Sequence, residues 1–239
     1  MRMSEPVQAP QLNLALLGQG KMGRIIAQLA PQRGFSVRLT LDEFSNHNGE
    51  GITAKNFAGV DVCIDFTTPD AAVENIRRVA ALGCNLVVGT TGWYAKLAEV
   101  RAAVERTGVG MVYAANFSLG VQLFYRAARS VAEIMARYPA YHAYITEAHH
   151  QFKKDAPSGT ALELKRRIAP ALAPREPSVS SVRAGFIPGT HELGFDSEAE
   201  TVILRHTARS RQGLAEGAFL AARWVAGKKG LFEFADILE

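Results

Sequence analysis

Cysteine is nearly absent from this 239-residue chain, which has only Cys63 and Cys84, each in an apolar, strand-like run. That excludes a disulfide framework and a cysteine-built metal centre, and two buried free thiols suit a reducing, cytoplasmic setting. No apolar run approaches the length needed to span a bilayer, so no membrane partner is expected. Aromatic residues make up 8% of the chain and do not interleave with its basic residues, which are scattered among the predicted helices. The net charge of +4 therefore points to small anionic ligands and not to nucleic acid. Internal repeats and low-complexity tracts are missing. Residues 1–11 hold Pro, Ser and Glu without an apolar core, which reads as a short disordered leader and not as a signal peptide.

What is present is ordinary globular material, 48% hydrophobic and 21% charged, enough for one large domain or two modest ones. Leu12 to Leu17 is short and apolar, like a buried strand. It runs into Gly18-Gln19-Gly20-Lys21-Met22-Gly23, and Met22, Ile25, Ile26 and Leu29 then recur at helical spacing until Pro31 and Gly34. Strand, glycine turn and helix form the context in which G-x-G-x-x-G carries meaning, since free N–H groups at the helix start can hold a pyrophosphate. A second strand over Phe35 to Leu41 ends at Asp42, about 20 residues past the glycines, where such folds place the carboxylate for the adenosine ribose.

Further strands are predicted at Asp61 to Phe66, Leu86 to Val88 and Gly110 to Tyr113, with helices between them. This alternation predicts a parallel sheet with right-handed crossovers. After a long helix over Gly120 to Tyr138, the strands Val179 to Ala184, Thr190 to Phe195 and Thr201 to His206 have no helices between them, so the second sheet is mixed or antiparallel. Gly194 to Ala199 reads as a hairpin connection, and the helix over Leu214 to Ala226 returns the tail to the first domain.

The densest chemistry lies between Glu147 and Leu162. A strand from Tyr141 to Glu147 runs into His149 and His150. Lys153 and Lys154 follow, Pro157 blocks helix, and Ser158 is a good N-cap for a helix through Ala161, Leu164 and Ile168 that Pro170 should stop. Histidine supplies a proton near neutrality, lysine a charge, and the N–H groups after Ser158 a cradle for an anion. Adjacent histidines lack metal-ligand spacing, so no metal is expected. His149 and His150 can share a pocket only if the strand ends there.

Taken whole, the segment resembles the dihydrodipicolinate reductase family, whose pattern Glu-x-His-His-x-x-Lys-x-Asp-x-Pro-Ser-Gly-Thr-Ala is matched at every fixed position from Glu147 to Ala161. The resemblance implies an α/β protein with a Rossmann-type parallel sheet domain and an α+β substrate and oligomerisation domain with a mixed sheet. The first would cover residues 12–117, completed by 214–239, and the second 118–213, with a homotetramer as the assembly. The implied activity is NAD(P)H-dependent reduction of 4-hydroxy-tetrahydrodipicolinate, a small dicarboxylate, in the diaminopimelate route to lysine. His149 would be the general acid and Lys153 a second donor. His150, Ser158, Gly159 and Thr160 would hold the carboxylates. Besides the glycine loop and Asp42, the residues Phe66, Thr67, Gly89, Thr90, Thr91, Ala114, Ala115, Asn116 and Phe117 would line the cofactor.

Two other functions share parts of this pattern: a different nicotinamide enzyme on the same scaffold, and a non-catalytic nucleotide sensor. The complete His-His to Ser-Gly-Thr array argues against the first, and the presence of both His149 and Lys153 against the second. Asp42 followed by Glu43, with no arginine in line after it, predicts NADH as the preferred cofactor, with NADPH still usable.

Overall fold

The structure, a computed structural model, describes residues 10–238. Most of the expected leader, residues 1–9, lies outside them. The elements run β1 (Leu12–Leu17), α1 (Lys21–Leu29), β2 (Phe35–Leu41), β3 (Val62–Asp65), α2 (Pro69–Ala81), β4 (Asn85–Val88), α3 (Leu97–Thr107) and β5 (Gly110–Tyr113). They continue with α4 (Leu119–Met135), β6 (His142–His149), α5 (Gly159–Leu172), β7 (Ser178–Arg183), β8 (Thr190–Asp196), β9 (Thr201–Thr207), α6 (Gln212–Val225) and β10 (Gly230–Glu233). Two compact units result. One runs to Phe117 and resumes at Leu214; the other is Ser118–Gly213.

The first unit is a six-stranded sheet in the order β10-β5-β4-β3-β1-β2, with every neighbouring pair parallel. The inner strands β1, β3, β4 and β5 are mostly buried on both faces because both are covered. Leu14 and Leu16 of β1 join Ile26 of α1 and Ala218 and Ala222 of α6 in one core, while Ala15 and Leu17 join Ile76 of α2 and Val100 of α3 in the other. The strand order reverses at β1, so β2 lies on one side of it and β3 on the other. The ends of β1 and β3 therefore flank the crevice where such sheets bind ligands. β10 (Gly230–Glu233) adds a sixth strand within the stretch where the sequence predicts only a tail.

The second unit has a four-stranded sheet in the order β7-β6-β8-β9, with β6 and β7 parallel and the other pairs antiparallel. One face packs on α4 and α5 through Ile145, Leu193, Phe195, Val121, Leu164 and Ile168. Two local expectations are corrected. Pro170 does not stop α5, which continues to Leu172: the missing N–H falls in the last turn, where little of the hydrogen-bond ladder remains to lose. Gly194 lies inside β8, not in the connection, because the Tyr144 ring fills the space a Cβ there would take. Among the described residues, no helix is long and apolar enough to cross a membrane.

Candidate active site

In the second unit the site is built on the end of β6. Glu147 is buried and His149 partly so, and the strand ends at His149. Residues two apart on a strand share a face, so the carboxylate and the imidazole lie side by side, and Glu147 Oε2 contacts His149 Nδ1 at short range. With Nδ1 engaged, Nε2 is the nitrogen left for a ligand; it packs beside Gly189, where a Cβ would crowd it at 3.1 Å. The imidazole of His150 instead lies 6.1 Å from the Phe152 ring, on the turn that follows the strand.

Glu147 holds more than His149. Arg183, at the end of β7, grips it with both terminal nitrogens, Nη2 to Oε1 at 2.6 Å and Nη1 to Oε2 at 2.9 Å. The Ser158 N–H donates to Oε1 at 3.1 Å, and Arg183 Nη2 also donates to the Asp155 carbonyl at 2.6 Å. One carboxylate thus ties together the ends of two strands, the Lys153-to-Ser158 turn and the start of α5. Burial alone would raise the Glu147 pKa. The Arg183 fork, with Ser181, His149 and the Ser158 N–H, outweighs burial and brings it down to about 2. His149 is held below its ordinary value, first by burial, with the Glu147 charge partly restoring it and Lys153 and Arg183 opposing.

Ser158 caps α5 as the spacing predicted, its Oγ accepting from the Ala161 N–H at 3.2 Å. That same Oγ shares a 3.0 Å hydrogen bond with His191 Nε2, and the residue is buried. Its polar groups are thus engaged within the protein. Gly159 and Thr160 form the first turn of α5, with Gly159 exposed and open around its Cα, and the Thr160 carbonyl accepts from the Tyr125 hydroxyl. The Lys153 ammonium meets Asp155 Oδ1 at 2.7 Å, a pairing that with the nearby Gly159 N–H lowers the Asp155 pKa. His191 was not foreseen. It stands with its ring 5.1 Å from that of His149, and burial, then the neighbouring His149, pushes its pKa down to about 4, so it is neutral. Arg183 was missed as well; both lie on the strands after α5, far in sequence from the histidine pair.

In the first unit, the three glycines of the loop have three different surroundings. Gly18 has φ +93°, and a Cβ on it would strike the Phe66 carbonyl. Gly23 would strike the Gly18 carbonyl, which lets α1 press against the strand end. Gly20, the N-cap of α1, has none of the described residues within 4 Å of where its Cβ would be. Tight turn, open backbone and close helix packing are what a dinucleotide pyrophosphate requires of these positions. Lys21 is exposed at the helix start, Met22 packs against the core, and the exposed Gln19 gives its carbonyl to Arg24 Nε at 3.0 Å.

The other candidate positions gather at the same sheet edge. Phe66 and Thr67 follow β3, Gly89, Thr90 and Thr91 follow β4, and Ala114 to Phe117 follow β5. Gly89 has no room for a side chain because the Phe66 ring occupies it, and Phe66 meets Phe117 edge-on at 6.2 Å. Asp42 Oδ1 accepts from the Ser45 N–H and Oγ and from the Phe44 N–H; the Ser45 contacts above all lower its pKa, so the group is ionised. Arg38 is turned to Asn13 Oδ1 at 3.1 Å.

A family model described as dihydrodipicolinate reductase, N-terminus, matches residues 12–117, and one described as dihydrodipicolinate reductase, C-terminus, matches residues 120–238. The chain is 34% identical to the 4-hydroxy-tetrahydrodipicolinate reductase of Christiangramia forsetii, over 95% of this chain and 98% of that protein. It is 35% identical to the protein of the same name from Neisseria gonorrhoeae, over 95% and 97%. Among solved structures it resembles a dipicolinate-bound dihydrodipicolinate reductase from Paenisporosarcina sp. TG-14, with a TM-score of 0.76 at 24% identity, covering 95% of this chain and 99% of that one.

The Glu147 pKa, lowered from 4.5 to about 2, gives a signed pH dependence. A carboxylate depressed in the folded state stabilises it above the unfolded pKa, and that contribution is lost as pH falls through the folded one. Between about pH 4.5 and pH 2 the wild type should lose on the order of 3 kcal/mol from this group alone. Glu147→Gln should be less stable at neutral pH and show a shallower acid limb. Urea unfolding at a series of pH values checks this; parallel acid limbs for the two proteins would contradict it.

Proposed function

Because this chain belongs to the dihydrodipicolinate reductase family, we infer that it catalyses the NAD(P)H-dependent reduction of 4-hydroxy-tetrahydrodipicolinate to tetrahydrodipicolinate. The net reaction takes up one hydride and one proton and releases one water. The observation that carries the assignment of roles is the pairing of Glu147 with His149 Nδ1, next to the helix start at Gly159 and Thr160. Glu147 fixes the imidazole tautomer, so that Nε2 is the atom that holds or delivers the proton. Neutral His191 adds no competing charge beside it. We assign the general acid to His149. The backbone N–H groups of Gly159 and Thr160, with the Lys153 ammonium, take the substrate carboxylates, and the substrate replaces Asp155 as the partner of Lys153. We assign His150 to the same carboxylates, while Ser158 acts from behind the cradle by capping the helix and holding Glu147.

In this reading residues 12–117, completed by 214–239, form the dinucleotide-binding domain, and 118–213 the substrate and assembly domain. When bound, the nicotinamide cofactor supplies the hydride. The Gly18-to-Gly23 loop and the start of α1 would hold its pyrophosphate, Asp42 its adenosine ribose, and Phe66, Thr67, Gly89, Thr90, Thr91 and Ala114 to Phe117 its nicotinamide half. The chain works in the cytoplasm, which suits its two free, buried cysteines.

Assembly follows from the outer face of the second sheet. Tyr144, Val182 and Ile203 lie on the face opposite Ile145 and Leu193, and Val182 and Ile203 are about half exposed. A second copy covers this face, where Thr146 and the Glu192–Arg205 ion pair lie among the apolar side chains, in the homotetramer we propose. Light scattering at assay concentration should give four subunits, and Ile203→Lys should shift the particle to smaller species; a wild-type monomer would refute the assembly.

His149→Ala should fold and bind cofactor normally while its kcat falls by on the order of 10²–10⁴. In the wild type, kcat/KM should decline as pH rises through a value below 6.5, since burial lowers the His149 pKa. Stopped-flow or steady-state assays across pH check both, and a mutant with near wild-type kcat would remove His149 from the mechanism.

We also propose NADH as the preferred cofactor. The ionised Asp42 with exposed Glu43 beside it repels a 2′-phosphate, and Arg38 is engaged by Asn13. Wild type should favour NADH in kcat/KM, and Asp42→Ala should narrow the ratio. A tenfold preference for NADPH, about 1.4 kcal/mol in the opposite direction, would show that the charge at Asp42 does not set the choice.

A further inference from the structure

Beneath the sheet edge of the first unit lies a second buried carboxylate, Asp65, which the assigned roles do not use. It is fully buried at the end of β3. Its Oδ1 accepts from the Thr67 N–H at 2.9 Å, the Thr67 hydroxyl at 2.8 Å and the Thr90 hydroxyl at 2.7 Å. Its Oδ2 accepts from the Asn75 amide at 3.0 Å. The Thr67 N–H also reaches Thr90 Oγ1 at 2.8 Å, so the loops after β3 and β4 are bound to each other as well as to Asp65.

The network extends to the Asp42 turn. Asn75, on α2 and itself buried, accepts through Oδ1 from the Asn46 amide at 3.0 Å. Asn46 in turn takes the Gly51 N–H at 3.1 Å, and its own N–H donates to the Asp42 carbonyl at 2.9 Å. An unbroken path of hydrogen bonds therefore joins Asp42 to Thr90 through Asn46, Asn75 and Asp65. Each donor and acceptor has one consistent assignment, with the carboxylate purely an acceptor.

This network is costly to keep. Burial raises the Asp65 pKa more than its donors lower it, so ionising the group at neutral pH weakens the fold instead of strengthening it. What Asp65 orders is set by its geometry, which ties Thr67, Thr90 and Asn75 to one carboxylate. We propose that Asp65 and Asn75 are positioning residues for the dinucleotide, coupling the adenosine-side turn at residues 42–51 to the nicotinamide-side loops at Thr67 and Thr90. The proposal rests on reading this unit as the cofactor-binding one. It adds that the two halves of the cofactor are recognised by one cooperative network.

The test is a set of full-length variants: Asn46→Ala, Thr90→Val, the pair together, and the same three in an Asn75→Ala background. NADH affinity is read by fluorescence titration, and amide exchange at Thr67 is read in the cofactor-free protein. Asn46→Ala, which reaches the nicotinamide-side loops through Asn75, should weaken NADH binding. The double mutant should be weaker than wild type by about fivefold less than the product of the two single effects. In the Asn75→Ala background that coupling should vanish, and Thr67 should exchange about tenfold faster than in wild type. Additive effects throughout, or an Asn75→Ala protein with a lowered Tm but unchanged NADH affinity and Thr67 exchange, would overturn the proposal alone. A wild type that binds neither NADH nor NADPH would overturn the cofactor reading together with it.

Discussion

The second unit depends on one buried carboxylate. Glu147 sits where two parallel strands end and a helix begins, and its oxygens are shared among a guanidinium, an imidazole and a backbone N–H. Each partner would be out of place without it. Arg183 would lose its two-pronged partner, His149 would be free to rotate or change tautomer, and the chain entering α5 would lose the anchor on Ser158. Removing one member of such a set leaves the others desolvated and unpaired, which is why the group behaves as a unit. The charge holds the fold of the turn and the orientation of the His149 imidazole at once.

The other half is governed by backbone space. At the point where the strand order reverses, Gly18 and Gly23 are required because carbonyls stand where side chains would be, while Gly20 is required by nothing in the protein itself. An open glycine between two crowded ones is the mark of a surface shaped for a ligand. The loops after β3 and β4 are then ordered from below by Asp65, Thr67 and Thr90. Both units thus use the same device: a carboxylate removed from water near the end of a strand, satisfied by donors from several elements and setting loop geometry. In the second unit the donors include a full positive charge and the pKa falls; in the first they are neutral and burial prevails. The difference follows from the competition between desolvation, which disfavours the charged form, and partners that favour it; neutral donors lose that competition here.

Much was legible in the sequence because it was local. The strands and helices of the first unit follow from short apolar runs and 3.6-residue spacing. The glycine loop, the Ser158 cap and the acid at the end of β2 sit within a few residues of the features that give them meaning. The histidine pair, the lysines and the Ser-Gly-Thr turn form one uninterrupted segment, so the resemblance they carry survived without any knowledge of contacts. Where the reading failed locally, at Pro170 and Gly194, tertiary packing overrode a propensity: a proline in a last turn costs little, and a strand glycine covered by Tyr144 needs no turn.

What only the tertiary structure decided is who stands next to whom across long separations. Arg183 is 36 residues from Glu147, and His191 is 33 from Ser158; no periodicity announces that either pair will meet. The neutrality of His191 and the engagement of Ser158 within the protein come from such meetings. So does the path from Asp42 to Thr90. Sequence by itself determined the inventory of groups and the local frames that hold them, because backbone preference and hydrophobic spacing act over a turn or two of chain. Protonation state and free valence were left to the folded protein, because they depend on burial and on partners that only the packing of distant strands brings within hydrogen-bond reach.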